Sequence, residues 1–281
     1  MLFRSLKPTW GRVSRHGAFE LAASLDHVGP ITRSARDALF LLSTIAGHDL
    51  LDPTSQPSVC LEVPGIDDSF RGLRVGIDES WLSDGVDPVI QQALQQIMAM
   101  IHAGGGKLLS IRMPDTRAVS QNWEAHCGVQ TAVAHADTYP LHASQYGPAL
   151  RRLIDGGREL SGMDYQRILL EAQRFTGQVE MLLYELDLLL APVQPYAAPT
   201  HEQLSSLALD PEANRRLIQF TAPFNVSGHP CISLPIGLTE GGLPMGGQFI
   251  GRKGGEATLC RAGMAVQRVS DWHRLRPQCL K

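Results

Sequence analysis

Short apolar runs alternate with longer amphipathic segments along most of this chain. The short runs have the length of buried strands, and Gly or Pro residues lie close to most of them. They occur at 73–77, 107–112, 187–193, 231–236 and 245–250. The segments between them place apolar residues at helical spacing. Strands that alternate with helices in this way predict an α/β fold, an α/β/α sandwich around one mixed central sheet.

Several predicted helices have clear signals at their ends. Ser34 and Ser161 each precede an aspartate by three positions, which is the spacing of a capping box. Asp87 stands directly before Pro88, and proline favours the first position of a helix. The helix that follows ends at Gly104-Gly105-Gly106. With the strands on either side, it predicts one βαβ unit.

Other segments have weaker patterns. Residues 1–33 contain Gly and Pro throughout and are predicted to be irregular, and 194–209 is predicted to be a loop. Residues 115–185 have mostly helical patterns. We predict a single domain over residues 1–281 that contains this helical region.

The stretch from Phe220 to Gly251 organises the predicted sheet. A polar loop at 224–230 leads into the strand at 231–236, and loops in that position often line sites on α/β sheets. Asn225 and Ser227 in this loop are therefore candidates for lining or supporting a site. In the last strand, Gly246 and Gly247 predict the close approach of another backbone.

Composition is that of an ordinary globular protein of 281 residues, with 43% hydrophobic residues, 19% charged residues and a formal net charge of −3. No run of Lys or Arg indicates a nucleic-acid surface, and no apolar stretch approaches the ~20 residues of a membrane span. The five cysteines form no C-x-x-C pair, which favours free thiols in a reducing compartment. We expect a cytoplasmic protein that binds neither nucleic acid nor membrane.

The sequence contains no recognisable metal site or serine elbow. His126, His135 and His142 are not spaced to share one helical face, and no H-E-x-x-H motif occurs, so no metal is expected. Ser227 lies outside any G-x-S-x-G motif and precedes a strand instead of following one. His229 is near Ser227 in sequence, but sequence proximity alone does not make it a base.

Two parts of the chain carry a resemblance to a known family. One part is the stretch Phe220–Gly251, in which Gln248 matches a position that recurs in the family. The other part, near the start of the chain, consists of Leu6-Lys7-Pro8-Thr9, Gly11, Val13-Ser14-Arg15, Ser24-Leu25-Asp26-His27-Val28-Gly29-Pro30, Arg33, Asp37, Gly47 and Asp52-Pro53-Thr54. In combination these motifs resemble the amidase signature family over nearly the whole chain.

The resemblance implies cleavage of a small carboxamide through an acyl-serine intermediate, with no metal or organic cofactor. A lysine would activate the attacking serine through a second serine, and backbone N–H groups would hold the oxyanion. The region 115–185 would shape the substrate end of the cleft. For Gln248, pocket lining and support of the backbone both remain open.

The segments that carry this chemistry in the family have no match here: an upstream lysine, a Ser-Ser-Gly turn and a Gly-Gly-Ser-Ile-Arg turn. We therefore expect a truncated amidase fold without catalytic residues of its own. It would act on a small amide only if completed by the absent half, and homo-oligomerisation is one way to cover its open sheet edge. The alternatives are a non-catalytic remnant or binding module, and a subunit of a tRNA-dependent amidotransferase.

Asp26 also has two interpretations. The resemblance implies that it lies beneath the nucleophile turn and pairs with an arginine of that turn, which has no match in this sequence. The alternative is a carboxylate that caps its own loop.

Overall fold

The computed structural model describes residues 4–57, 67–207 and 210–275. Its centre is one seven-stranded sheet. The strands are β1 (Arg4–Lys7), β2 (Ile31–Thr32), β3 (Arg74–Ile77), β4 (Lys107–Ser110), β5 (Leu188–Pro192), β6 (Cys231–Leu238) and β7 (Pro244–Gly251). They are ordered β2-β1-β6-β7-β5-β3-β4 across the sheet.

The sheet is mixed, as predicted. β3 is parallel to both β4 and β5, whereas β5–β7, β7–β6, β6–β1 and β1–β2 are antiparallel pairs. Every residue of β5 is buried, which is typical of a strand covered on both faces. The sheet is open, so β2 and β4 form its two edges.

Helices flank the sheet in two groups. They are α1 (Ala35–Ile45), α2 (Glu79–Ser83), α3 (Pro88–Ala103), α4 (Arg117–Gln121), α5 (Trp123–Ala134), α6 (Pro148–Glu159), α7 (Gly162–Tyr184), α8 (His201–Leu207), α9 (Pro211–Ile218), α10 (Ala222–Val226) and α11 (Glu256–Val269). α1, α3 and α11 contact the strands and pack together around α11, and α4 to α7 form a second connected group. The result is the predicted α/β sandwich.

The predicted helix starts are largely correct. Ser34 Oγ accepts a hydrogen bond from the backbone N–H of Asp37 at 2.9 Å, and Ser161 Oγ caps α7 in the same way. α3 begins at Pro88, but the Asp87 side chain makes no capping hydrogen bond. The βαβ unit is formed by β3, α3 and β4.

Three local predictions are wrong. Residues 1–33 are not wholly irregular, because they contain β1 and β2. The predicted loop at 194–209 contains α8, and α10 extends into the predicted loop at 224–230. These elements are only two to seven residues long. β1 pairs with β6, and α10 packs against α4, so the partners of these two elements lie far away in the sequence.

The close approach predicted at Gly246 and Gly247 involves side chains and not another backbone. A Cβ added to Gly247 would lie 2.7 Å from the side chain of Ile236, and one on Gly246 would lie 3.3 Å from Val193. The described cysteines, Cys127, Cys231 and Cys260, are free and buried, while Cys60 and Cys279 lie outside the described residues. No helix in the described ranges is both long and apolar enough to cross a bilayer.

Candidate active-site region

The side chain of Lys7, at the end of β1, connects two distant parts of the chain. Its Nζ donates to the backbone carbonyls of His229, at 2.5 Å, and Phe224, at 3.1 Å. A third contact joins Nζ to His27 Nε2 at 3.3 Å. An ammonium group has three N–H donors, so these partners satisfy all of them. Desolvation lowers the pKa of Lys7 to about 8, which leaves it mostly charged at neutral pH.

His27 accepts from this ammonium group because its tautomer is fixed by a second contact. Its Nδ1 lies 2.7 Å from the carbonyl oxygen of Leu25, which can only accept, so Nδ1 carries the proton and Nε2 is the acceptor. Burial, followed by the charge of Lys7, lowers the pKa of His27 to about 3. The ring is therefore neutral near pH 7.

Ser227 and His229 form a buried hydrogen-bonded pair just before β6. Ser227 Oγ lies 2.9 Å from His229 Nδ1, and the two residues are 2% and 1% exposed. Burial, followed by the charge of Lys253, lowers the pKa of His229 to about 4. The pair has the contact of a nucleophile and its base, but the hydroxyl is closed off from a substrate in solvent.

Gly228, between these two residues, holds the loop against the amino-terminal segment. Its φ is +68°, in the left-handed region that favours glycine, and a Cβ there would lie 3.1 Å from Trp10 Cβ. The Trp10 backbone N–H also donates to the Gly228 carbonyl at 3.1 Å. Both the backbone conformation and the close approach therefore require glycine.

Asp26 caps its own loop. Its Oδ2 accepts from the backbone N–H groups of Leu21, at 2.9 Å, and Ala22, at 3.0 Å. This is the geometry of the second interpretation of Asp26, the loop-capping carboxylate. The supporting role beneath a nucleophile turn stays a prediction.

Gln248 supports the backbone of the organising stretch. The side chain is 3% exposed, and its Nε2 donates to the carbonyls of Pro192, at 3.0 Å, and Phe220, at 2.7 Å. These contacts join the end of β5 to the segment that enters α10. Asn225, the fourth candidate, is half-buried in α10, where its own carbonyl accepts from Gly228.

Two buried carboxylates hold the amino-terminal segment in place. Glu256, the first residue of α11, accepts from the Thr9 N–H at 2.9 Å through Oε1. Asp52 accepts from the Arg15 N–H at 2.9 Å and from the Thr54 hydroxyl at 2.6 Å. The Arg15 N–H and then the Thr54 hydroxyl lower the pKa of Asp52 to about 2. The segment that contains Lys7 is thus fixed on both sides.

The Amidase family model matches residues 5–260. The chain belongs to the amidase signature family. It is 43% identical over 272 residues to a putative amidase, AmiD, of Mycobacterium tuberculosis, and the match covers 97% of this chain and 57% of that relative. It is 34% identical over 301 residues to a subunit of the glutamyl-tRNA(Gln) amidotransferase of Chloroflexus aurantiacus, covering 97% of this chain and 60% of the relative.

Solved amidase structures have the same fold. 6-Aminohexanoate cyclic dimer hydrolase superimposes with a TM-score of 0.88 at 25% identity, over 99% of this chain and 62% of that structure. The corresponding amidotransferase protein of Thermotoga maritima gives a TM-score of 0.80 at 24% identity, over 95% and 58%. The chain therefore spans about three fifths of the length of these relatives.

Sequence patterns do not reveal that Lys7 and Glu256 help to hold this region together. In the sequence, Lys7 stands out only as a member of the Lys-Pro-Thr motif, and Glu256 only as the start of a helix. The available signal for Lys7 is a lysine placed between Leu6 and Pro8. Within the described ranges, no group of three or more His, Cys, Asp or Glu residues is arranged to hold a metal ion.

Proposed function

We propose that this chain forms the scaffold of a carboxamide hydrolase that cleaves a C–N bond through an acyl-serine intermediate. The observation that carries the proposal is the set of three contacts at Lys7, which joins the two family motifs into one buried unit. The 43% identity to a putative amidase supports the same chemistry. The free buried cysteines are consistent with a cytoplasmic protein.

We further propose that the attacking serine, the second serine and the lysine come from a segment that has no match in these 281 residues. Lys7 is a poor base because its ammonium group is charged and fully hydrogen-bonded. Ser227 is paired with His229 but buried. Loss of a nucleophile or base costs about 10⁶-fold in a serine hydrolase, so the chain alone is expected to be inactive.

Ammonia release from benzamide, glutamine and short aliphatic amides tests this proposal. The purified chain alone is expected to give no release above background, and Ser227→Ala is expected to behave identically. Together with the part of the M. tuberculosis relative outside the match, the chain is expected to release ammonia. Turnover by the chain alone that Ser227→Ala abolishes would contradict the proposed division of roles, and no turnover by the assembled pair would contradict the hydrolase function.

A second candidate function is that of an amidotransferase component, favoured by the 34% identity to the glutamyl-tRNA(Gln) amidotransferase protein over 97% of the chain. The same substrate panel separates the two functions. Release from glutamine alone supports the amidotransferase, and release from benzamide or aliphatic amides supports the simple amidase.

A further inference from the structure

A cavity of about 260 Å³ lies where three helices meet. Its wall consists of residues from α2 and the turn after it, from α4, from α9 and from the segment 219–220. α4 contacts α9, so the wall is one continuous surface. Sites for drug-sized ligands typically have volumes of ~300–1,000 Å³, and this cavity therefore fits a smaller molecule.

The wall of the cavity contains a buried hydroxyl without a partner. Ser120 is 8% exposed, and its Oγ has no hydrogen-bond partner within residues 4–57, 67–207 and 210–275. Buried polar atoms are nearly always hydrogen-bonded, because an unpaired one lowers stability. A hydroxyl left unpaired in a cavity wall is therefore available to a ligand.

Three arginines line the same cavity, Arg117, Arg215 and Arg216. The guanidinium of Arg117 binds the carboxylate of Asp115, with Nη2 and Oδ2 2.6 Å apart, and Arg215 forms an ion pair with Glu212. Arg216 makes no hydrogen bond or ion pair with any residue that the structure describes. One of the three positive charges is thus uncommitted.

The guanidinium of Arg216 lies over the turn that follows α2. A Cβ added to Gly85 in this turn would lie 3.3 Å from Arg216 Nη2. Trp81, in α2, also lines the cavity, and its ring packs edge-on against the ring of Phe220 at 4.8 Å between centroids. The cavity therefore combines a free cation, a free hydroxyl and an aromatic wall.

The acidic residues of the wall limit the charge of an anion that fits there. Glu212 is held by Arg215, but Asp84 also lines the cavity and forms no ion pair with Arg216 in the described ranges. A nearby carboxylate repels a doubly charged anion more strongly than a singly charged one. A guanidinium matches the two oxygens of a carboxylate, and the Ser120 hydroxyl can donate to one of them.

We propose that this cavity binds a small aromatic carboxylate. Arg216 pairs with the carboxylate, Ser120 donates a hydrogen bond to it, and the aromatic ring of the ligand packs against Trp81. The inference goes beyond the proposed hydrolase function and is independent of it, because binding is measured on the chain alone.

Isothermal titration of the 281-residue chain with three probes of similar shape tests the ligand class. Benzoate is expected to bind, and neutral benzamide is expected to bind at least about tenfold more weakly, since charged hydrogen bonds are the stronger ones. Phenyl phosphate, which carries nearly two charges at neutral pH, is expected to bind more weakly than benzoate. No binding of benzoate, or equal binding of benzoate and benzamide, overturns the proposal. Tighter binding of phenyl phosphate shows a phosphate site and overturns the choice of a carboxylate.

Two charge variants with opposite expected effects locate the bound benzoate. Arg216→Gln is expected to weaken benzoate binding at least about tenfold, whereas Asp84→Asn removes a repulsive charge and is expected to strengthen it about twofold or more. Arg167→Gln, at an exposed ion pair of α7, is the matched control and should bind benzoate like the wild-type chain. An unchanged affinity in Arg216→Gln, or equal losses in Arg216→Gln and Arg167→Gln, would show that benzoate binds elsewhere or without specificity.

Ser120→Ala separates a role in the ligand site from a role in the fold. Benzoate binding is expected to weaken about threefold or more through the lost hydrogen bond. The melting temperature of the variant is expected to be unchanged or higher, because the substitution removes an unpaired buried hydroxyl and breaks no hydrogen bond of the described residues. Unchanged binding with a lower melting temperature would assign Ser120 to the fold and contradict its place in the site. Ammonia release by the assembled pair tests the hydrolase function separately, so either proposal can fail alone.

Discussion

Lys7 is a charged group at the end of β1, next to the fully buried Leu6. Its three acceptors make the charge tolerable, and they also make the surrounding backbone depend on it. If the lysine is removed, the carbonyls of Phe224 and His229 lose a donor. Lys7 is therefore a structural cation whose contribution can be measured by changing pH.

The lowered pKa of Lys7 predicts that the free energy of unfolding rises above neutral pH. Its pKa is about 8 in the folded chain and 10.5 as its ordinary value, so the unfolded chain binds more protons between these values. This difference should raise the free energy of unfolding by about 2 kcal/mol between about pH 7 and about pH 9.5. Urea unfolding of Lys7→Met should lack this rise. Lys253→Met, at a surface salt bridge, should retain it; an unchanged slope in Lys7→Met would refute the assignment.

At the scale of elements, the loop from Pro8 to Pro30 is ordered by polar contacts and not by regular structure. Asp52 lies at the centre of one such set, 6% exposed, and it connects this loop to residues 47–56. Its carboxylate accepts bonds from donors on both segments. The two loops should therefore loosen together when the acceptor is altered.

Asp52→Asn is expected to lower the free energy of unfolding by about 1–2 kcal/mol, because the amide replaces one acceptor oxygen by a donor group. The folded pKa of Asp52 is depressed to about 2, so its contribution is present above about pH 4 and is lost as the pH falls towards 2. Urea unfolding and amide exchange at Gln56 report the global and local effects. Asp37→Asn, an exposed residue of α1, serves as the control, and equal losses in both variants would argue against the role of Asp52.

The elements differ in how well their sequence predicts them. β5, β6, β7 and the long helices have apolar runs or helical periodicities in their sequences, and they form as expected. β1 has four residues and β2 has two, too few for an alternation to be visible. Their strand character comes from pairing, since Ser5 lies opposite Ser233 in β6. Local sequence does not contain that information.

At the scale of the whole molecule, buried histidines make the fold sensitive to acid. His27 and His229 have pKa values of about 3 and about 4, so both are neutral in the folded chain near pH 7. In the unfolded chain they protonate near the ordinary value of 6.5. Stability attributable to them is present above pH 6.5 and falls as the pH drops below it.

Each histidine should account for about 2 kcal/mol of the stability lost between about pH 7 and about pH 5. His229→Asn keeps a group that can contact Ser227 but cannot gain a proton, so its urea-unfolding free energy should fall less steeply over this range. His142→Asn, at an exposed site, should follow the wild-type curve. The prediction fails if the two variants show the same dependence on pH.

The candidate site is only partly predictable because its key contacts join residues that are far apart in the sequence. Motifs identify Ser227, Gln248 and Asp26, and the structure places Ser227 and Asp26 in the loops around Lys7. The contacts that organise the region span 217 and 222 positions of sequence. Hydrophobic periodicity describes neighbours along a helix or strand, so it cannot reveal such pairs.

The position of β1 between β2 and β6 has a consequence for biosynthesis. During translation β1 leaves the ribosome well before its partner Ser233, which emerges only after more than two hundred further residues. For that interval one side of β1 has no native neighbour, and loop closure over such a distance slows folding. We therefore expect the nascent chain to expose an unpaired side of β1 until β6 has been synthesised.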